Sequence, residues 1–379
     1  MKNTSELKPT RRHFVKAGMA TSAALLSSTS LAQETTLEPS RGPGRTIMEM
    51  GYYGERSEYA KDARLKGNRG TGLVGGSLTP LQNMQGMVTP SGLHFEVHHS
   101  GVPDIDPSEH KLLVHGLVGD AKVFTMEDLM RFPAESHFHF LECAGNGMGE
   151  WMSPRGKTVQ QTHGLTSCSQ WTGVPLRVIL NELGIRGDAK WILAEGDDGA
   201  RMTRSIPMWK AMDDAILAYA QNGEFLRPEQ GFPLRLLVPG FEGNMNVKWL
   251  HRLEVSDKPW WTHHEVTEYA DPRPDDKIRA FSFYMEGRSV ITSPSAGMKL
   301  NGPGFYEISG LAWSGAGTIT KVEISTDNGN TWSDANLEAP VLPKCHTRFR
   351  MPWTWDGRET TIMSRSTDDT GYTQPTYAE

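Results

Sequence analysis

His137-Phe138-His139-Phe140-Leu141-Glu142 alternates, then runs straight into Cys143-Ala144-Gly145-Asn146-Gly147. The period of two reads as a strand with one buried face. The glycines then break it. Such a junction presents the last side chain and leaves a bulky ligand room to reach the backbone. Cys143 stands there, and its thiolate is either a nucleophile or a soft metal ligand. A buried structural cysteine is the commoner fate, and on spacing alone that reading stands ahead. Cys168 and Cys345 complete the count. No C-x-x-C and no C-x-x-C-H occurs, which excludes a thiolate zinc ribbon and covalent c-type haem in this chain.

Working outward, Leu93-His94-Phe95-Glu96-Val97 and Lys111-Leu112-Leu113-Val114-His115 read as strands. Thr125-Met126-Glu127-Asp128 has capping-box spacing, with Asp in place of Glu, and starts a helix. Residues 174–183 form a short helix, with Pro175 in its first turn and Gly184 at its stop. Residues 191–194 and 234–238 read as buried strands, 211–220 as a helix and 246–250 as a further strand. The charged, Pro-rich run Asp271-Pro272-Arg273-Pro274-Asp275-Asp276 marks a linker, placed at 263–278. Beyond it, Ile319, Val322 and Ile324 and the turn Asp327-Asn328-Gly329-Asn330 read as a hairpin in a small β-sandwich, residues 279–379. Residues 33–84 read as a surface extension ordered by docking, ahead of a catalytic domain over 85–262.

Of 379 residues, 37% are apolar and 22% charged, enough to build a core and too apolar for a disordered chain. A formal net charge of −6 argues against a nucleic-acid coat or a basic membrane binder. Thr10-Arg11-Arg12-His13-Phe14-Val15-Lys16 precedes a weakly apolar stretch and then Ser30-Leu31-Ala32. Residues 1–32 therefore read as a twin-arginine signal, implying export of a folded, cofactor-loaded protein to the periplasm. The stretch is too polar and too short for a membrane span. His137 and His139 share a strand face, but no carboxylate follows at a diagnostic metal spacing. Arg235 and Lys248 suit a phosphate, a weak signal by itself.

Eight segments in order carry a resemblance. They include Phe95 to His99, Leu141-Glu142-Cys143-Ala144-Gly145-Asn146, Trp171-Thr172-Gly173-Val174-Pro175-Leu176, Gly231-Phe232-Pro233-Leu234-Arg235 and Val247-Lys248-Trp249-Leu250. Together they resemble the sulfite oxidase family of molybdenum enzymes, over about three-quarters of the chain. Ala312-Trp313-Ser314-Gly315 and the Asp327 turn are similar to that family's immunoglobulin-like dimerisation domain. Within the family, His98-His99-Ser100-Gly101 and Gly243-Asn244-Met245-Asn246 look like the SoxC-type molybdenum subunits of sulfane dehydrogenases.

The resemblance implies an α+β fold: a mixed α/β molybdopterin-binding domain followed by a β-sandwich. It implies molybdenum with molybdopterin as cofactor and Cys143 as the thiolate ligand, which reverses the reading from spacing. Cofactor contacts are implied for Phe95, Glu96, His98, His99, Asp198, Gln230, Arg235, Asn246, Val247 and Lys248. Where sulfite oxidases carry substrate arginines, this chain has Val97 and Met148; their active-site Trp position falls near Gln161, and their active-site Tyr position falls at Met202. Paired cations offset the desolvation of a free dianion. Thioethers instead suit a sulfane sulfur carried on a protein cysteine. Met148 and Met202 are thus expected beside the reaction. Arg350 is taken as the substrate-holding cation, with Arg201, Arg204 and Arg348 as alternatives. Implied partners are a c-type cytochrome, a sulfur-carrier protein and a second copy of the chain. A sulfite dehydrogenase or sulfoxide reductase, and a non-catalytic dimer scaffold, remain the rival readings. Family members add one more strand after Asp368-Asp369-Thr370-Gly371-Tyr372, so a sandwich short of an edge strand is expected.

Overall fold

The computed structural model describes residues 53–67, 72–152 and 157–376; the twin-arginine segment and residues 377–379 lie outside them. The chain divides into two units, Met1–Ala60 and Lys61–Glu379. Of the first, residues 53–60 are described, where the Ala60 N–H donates to the Ser57 carbonyl and closes a turn.

The second unit carries the expected α+β architecture. Strand Glu135–Glu142 pairs antiparallel with Thr166–Pro175, which pairs with Ile216–Gln221. Arg235–Leu237 adds to the far side of Ile216–Gln221. A second sheet runs Lys122–Thr125, Lys111–Gly116, Leu250–Ser256, Trp191–Gly196, Thr203–Pro207, with one parallel pairing between Leu250–Ser256 and Lys111–Gly116. Helices Met126–Met130 and Leu176–Leu183 contribute to the core these sheets share. The first has the capping box, Thr125 and Asp128 bonding reciprocally. The second buries Leu176, Ile179, Leu180 and Leu183 and stops at Gly184, φ +69°. Each such side chain contributes about 1.5–3 kcal/mol when taken from water. The C-terminal part is a sandwich. Its four-stranded sheet holds Arg288–Ser293, Gly304–Trp313, Thr347–Trp355 and Asn336–Leu337. Its three-stranded sheet holds Ser333–Asp334, Ile319–Ser325 and Met363–Asp368. Ile308, Val322, Ile324 and Phe349 fill the space between.

Several expectations are corrected. Residues 211–220 are not one helix: helix Met208–Asp213 ends and strand Ile216–Gln221 begins. Sheet pairing on both sides of that strand overrides the helical propensity of its Ala and Leu. Residues 246–249 form a loop. Asn246 accepts from the Val238 N–H (2.6 Å) and donates to the Glu242 carbonyl (3.0 Å), and the strand starts at Leu250. Residues 91–93 are a 3-10 turn, and the strand there is Glu96–His98. The extension is partly core. Gly75–Leu78 pairs with Glu96–His98, and Leu81 is buried against a cluster that holds Phe140 and Trp313. The linker contains a helix, His263–Thr267, and a small hairpin, Asp271–Pro272 with Ile278–Arg279.

The two folded parts touch backbone to backbone. Gly240, φ +78°, lies against Gly315, and a Cβ on either would come within 2.0–2.1 Å of the other's carbonyl oxygen. Met285 bridges them, its N–H donating to Gly240 (3.0 Å) and its carbonyl accepting from Gly315 (2.9 Å).

Candidate active site

Cys143 follows the last residue of strand Glu135–Glu142. Its N–H donates to the Leu165 carbonyl (3.0 Å), and its carbonyl accepts from the Asn146 N–H (2.9 Å), closing the turn. Gly147 takes φ +86°, which favours glycine. Gly243 packs so tightly on this turn that a Cβ would meet the Glu142 carbonyl at 2.7 Å.

The cysteine faces an open cavity of about 710 Å³, its solvent-filled mouth included. Phe95, Glu96, His98, His99, Cys143, Asp198, Gln230, Arg235, Asn246, Val247 and Lys248 all line it, with Val97 and Met202. Ten residues scattered over more than a hundred positions thus meet Cys143 around one cavity.

The chemistry of that lining is cationic and underpaired. Arg235 is buried, and its guanidinium sits 5.0 Å from the Trp171 ring centroid. It donates to the Gln230 and Asn246 carbonyls (3.0 and 3.1 Å), while its Nε has no hydrogen-bond partner. Burial pushes its pKa down to about 9. Lys248 Nζ donates to the Val97 and Glu229 carbonyls (3.0 and 3.1 Å) and contacts His98 Nδ1 (2.9 Å). Burial, reinforced by Arg235, lowers its pKa to about 7. Neither cation makes an ion pair among the described residues, whereas a buried charge ordinarily demands one. An anionic group such as a pterin phosphate fits that demand. Burial opposes ionisation of Glu96. Hydrogen bonds from His98 and Ser77 and the charge of Arg64 nevertheless hold its pKa down at about 2. Burial lowers both His98 and His99, so each favours the neutral ring.

Residues 99–264 match the family model described as the oxidoreductase molybdopterin binding domain, and residues 279–379 match the Mo-co oxidoreductase dimerisation domain. The solved sulfane dehydrogenase SoxCD from Paracoccus pantotrophus has a chain 40% identical to this one. It superposes with a TM-score of 0.88, covering 92% of this chain and 91% of that one. The chain belongs to the sulfite oxidase family of molybdenum enzymes. Mitochondrial sulfite oxidase of Mus musculus is 30% identical over 321 residues, covering 77% of this chain and 58% of that protein. NADH nitrate reductase of Ulva prolifera is 30% identical over 332 residues, covering 77% of this chain and 38% of that protein. The chain thus spans about two-fifths to three-fifths of these curated relatives' length. Its cofactor, as a member of the sulfite oxidase family, is molybdenum with molybdopterin, and the cations and thiol of the cavity match that cofactor chemically.

Two expected catalytic positions are not among the cavity-lining residues. Met148 begins helix Met148–Met152 and is half-exposed; it is not among the lining residues, but a Cβ on Gly145 would meet both its Sδ (3.4 Å) and Cys143 Sγ (4.0 Å). Arg350 lies on the sandwich strand Thr347–Trp355, where Glu307 (2.6 Å) and Glu338 (2.9 Å) take its guanidinium; it too is absent from the cavity wall. Of the alternatives, Arg201 is exposed and pairs with Glu195 (3.3 Å). Arg348 is committed to the Met84 and Gly86 carbonyls and to Thr292. Arg204 remains. It is buried, its Nε donates to Met245 Sδ (3.0 Å), and its Nη1 has no hydrogen-bond partner.

The cavity also has a tyrosine that the sequence reading did not place there. Tyr269 lines it, with the Arg204 guanidinium 4.8 Å from its ring centroid. The expected replacement of the family's tyrosine by Met202 therefore adds a thioether without costing the cavity its phenol. Tyr269 hid in the stretch taken for a linker. The signal was the aromatic cluster Trp260, Trp261 and Tyr269 beside that stretch.

Lys248 yields a prediction with a defined sign. Its pKa in the folded chain lies below the ordinary 10.5, so without an anion the unfolded state holds the proton more tightly. Stability of the cofactor-free chain therefore rises with pH from about 7 to 10.5, and below pH 7 the full penalty is present. Lys248→Met is expected to raise the denaturation midpoint of cofactor-free protein at pH 6. It is also expected to lower cofactor retention at least about 10-fold, the worth of one charge-assisted hydrogen bond. Denaturant titration and pterin analysis check the two limbs.

Proposed function

We propose that this chain is the molybdenum subunit of a periplasmic sulfane dehydrogenase, delivered folded by the twin-arginine route. It oxidises the outer sulfur of a cysteine persulfide or S-thiosulfonate on a carrier protein during thiosulfate oxidation. Electrons pass to a c-type cytochrome, and two copies associate through the C-terminal domain. The observation that carries the reading is that Val97 and Met202 line the cavity with Cys143, at positions where the family resemblance places an arginine and a tyrosine.

Bound molybdenum-molybdopterin supplies oxygen-atom transfer and a store for the electron pair. The chain's own residues do the rest. Cys143 supplies the thiolate ligand on a turn fixed at both ends. Arg235 and Lys248 would hold the cofactor's anionic end and, so engaged, would be unavailable to a second dianion. The side chains of Met202 and Val97 add polarizable, uncharged surface to the cavity lining. A free sulfite dianion would lose its hydration there with little to replace it, whereas a sulfane sulfur brings less charge. Of the candidate substrate arginines, Arg204 places its guanidinium over a cavity-lining ring, that of Tyr269.

The test is a side-by-side assay of the cofactor-loaded protein with cytochrome c as acceptor. One arm holds free sulfite and the other a thiosulfate-loaded carrier protein. Turnover is expected to favour the carrier by at least about 10-fold, the scale of one unpaired buried polar contact. Faster turnover of free sulfite would reassign the chain as a sulfite dehydrogenase. Reduction of a sulfoxide without oxidation of either sulfur donor would make it a sulfoxide reductase. A protein without molybdenum after expression in a molybdopterin-competent host would leave a non-catalytic scaffold.

A further inference from the structure

The residue before the metal-ligating cysteine is a carboxylate that water does not reach. Glu142 is 0% exposed. Its Oε1 accepts from Asn146 Nδ2 (2.9 Å) and from Arg288 Nη1 (3.0 Å), and its Oε2 accepts from Trp313 Nε1 (2.6 Å). Arg288 and Trp313 belong to the C-terminal sandwich, where they pair across strands Arg288–Ser293 and Gly304–Trp313. Arg288 Nη1 also donates to the Asn146 carbonyl (3.1 Å). It lies so close to Gly147 that a Cβ there would sit 3.0 Å from it. Asn146 completes the link, its Oδ1 accepting from the Leu165 N–H (3.0 Å).

A buried carboxylate is costly unless it is paired and its oxygens are bonded, and a well-packed apolar residue would serve stability as well. What the charge supplies is geometry. Both ends of the Cys143 turn are tied to one carboxylate, and that carboxylate is tied to the other domain.

We infer that Arg288 and Trp313 are positioning residues of the molybdenum centre, so that the C-terminal domain holds the Cys143 turn in register through Glu142 besides serving dimerisation. This rests on Cys143 as the thiolate ligand and is independent of which sulfur compound is oxidised.

The experiment compares cofactor-loaded wild type with Arg288→Gln, Trp313→Phe and the double variant Glu142→Gln/Arg288→Gln. Metal content, the thiolate-to-metal charge-transfer absorption, circular dichroism and dimer fraction are read on each. Arg288→Gln leaves Glu142 buried without its cation. It is expected to displace the absorption band and to weaken metal retention about 10–100-fold, the scale of an outer-shell partner. The double variant puts a neutral amide pair in the same place and is expected to recover both. Trp313→Phe removes one donor and is expected to displace the band less. Cys143→Ser loses the band altogether, so failure of the ligand assignment is distinguishable from failure of the positioning. A folded Arg288→Gln with the wild-type band and metal content overturns the inference. So does a band change that only tracks the loss of dimer. Should Arg288→Gln not fold, wild-type spectra in Trp313→Phe together with no recovery in the double variant overturn it equally.

Discussion

Cys143→Ser is expected to give a folded chain whose turnover falls by more than about 100-fold, beyond what the loss of an outer-shell partner costs a metal site. The turn around it is held by backbone bonds to Leu165 and Asn146 and by the Glu142 cluster, none of which uses the sulfur atom. Serine has a similar volume, so packing against Gly243 survives. What disappears is a soft, polarizable donor, and a hydroxyl does not replace a thiolate toward a high-valent metal. Stopped-flow reduction by the sulfur substrate and the charge-transfer absorption measure the loss. Circular dichroism and the melting midpoint are expected to stay within a few degrees of wild type. Full activity in the serine variant would remove Cys143 from the centre.

Tyr269→Phe is expected to lower kcat by about 100-fold, the lower end of what a positioned proton donor contributes, with a smaller change in KM. Burial raises the Tyr269 pKa well above the usual phenol range, and the negative charge of Cys143 adds to the effect. The phenol therefore keeps its proton throughout the neutral range and serves as a hydrogen-bond donor at the cavity wall. Phenylalanine keeps the ring under Arg204 at the 4.8 Å contact and removes only the hydroxyl. The split between kcat and KM is the decisive measurement. A variant whose KM alone rises would make Tyr269 a binding residue, and one with unchanged kinetics would leave it as wall.

The parts of the site that the sequence made legible share a property. Cys143, Arg235 and Lys248 each sit within a few residues of a glycine or proline that fixes the local backbone, so composition and order pointed to them. Their convergence was not legible, because it depends on the pairing of Glu96–His98 with Gly75–Leu78 and on the loop at 246–249. Met148 and Arg350 show how far position and charge carry as signals. Met148 follows from the family's arginine position two residues after Asn146, and it starts a helix, half-exposed, with its sulfur beside the Cys143 turn. Arg350 was assigned by charge, and two carboxylates on neighbouring strands had already claimed it. Tyr269 was missed because a Pro-rich, charged stretch was equated with an unstructured connection. The fold followed the same division. Capped helices and tight turns such as those at Thr125, Gly184 and Asp327 are local and came through. The strand Ile216–Gln221 did not, since only its neighbours in the sheet decide that Ala and Leu there are extended.

The contact at Gly240 and Gly315 has an engineering consequence. Away from the Glu142 cluster, the halves also meet at a point where no side chain fits, and Met285 stitches that seam with two main-chain bonds. A chimaera that grafted a relative's rear half onto this front half would have to import both glycines and the Met285 backbone path as a set. One extra methyl group at either glycine would pry the seam open. The practical unit of exchange in this molecule is therefore the whole two-part body.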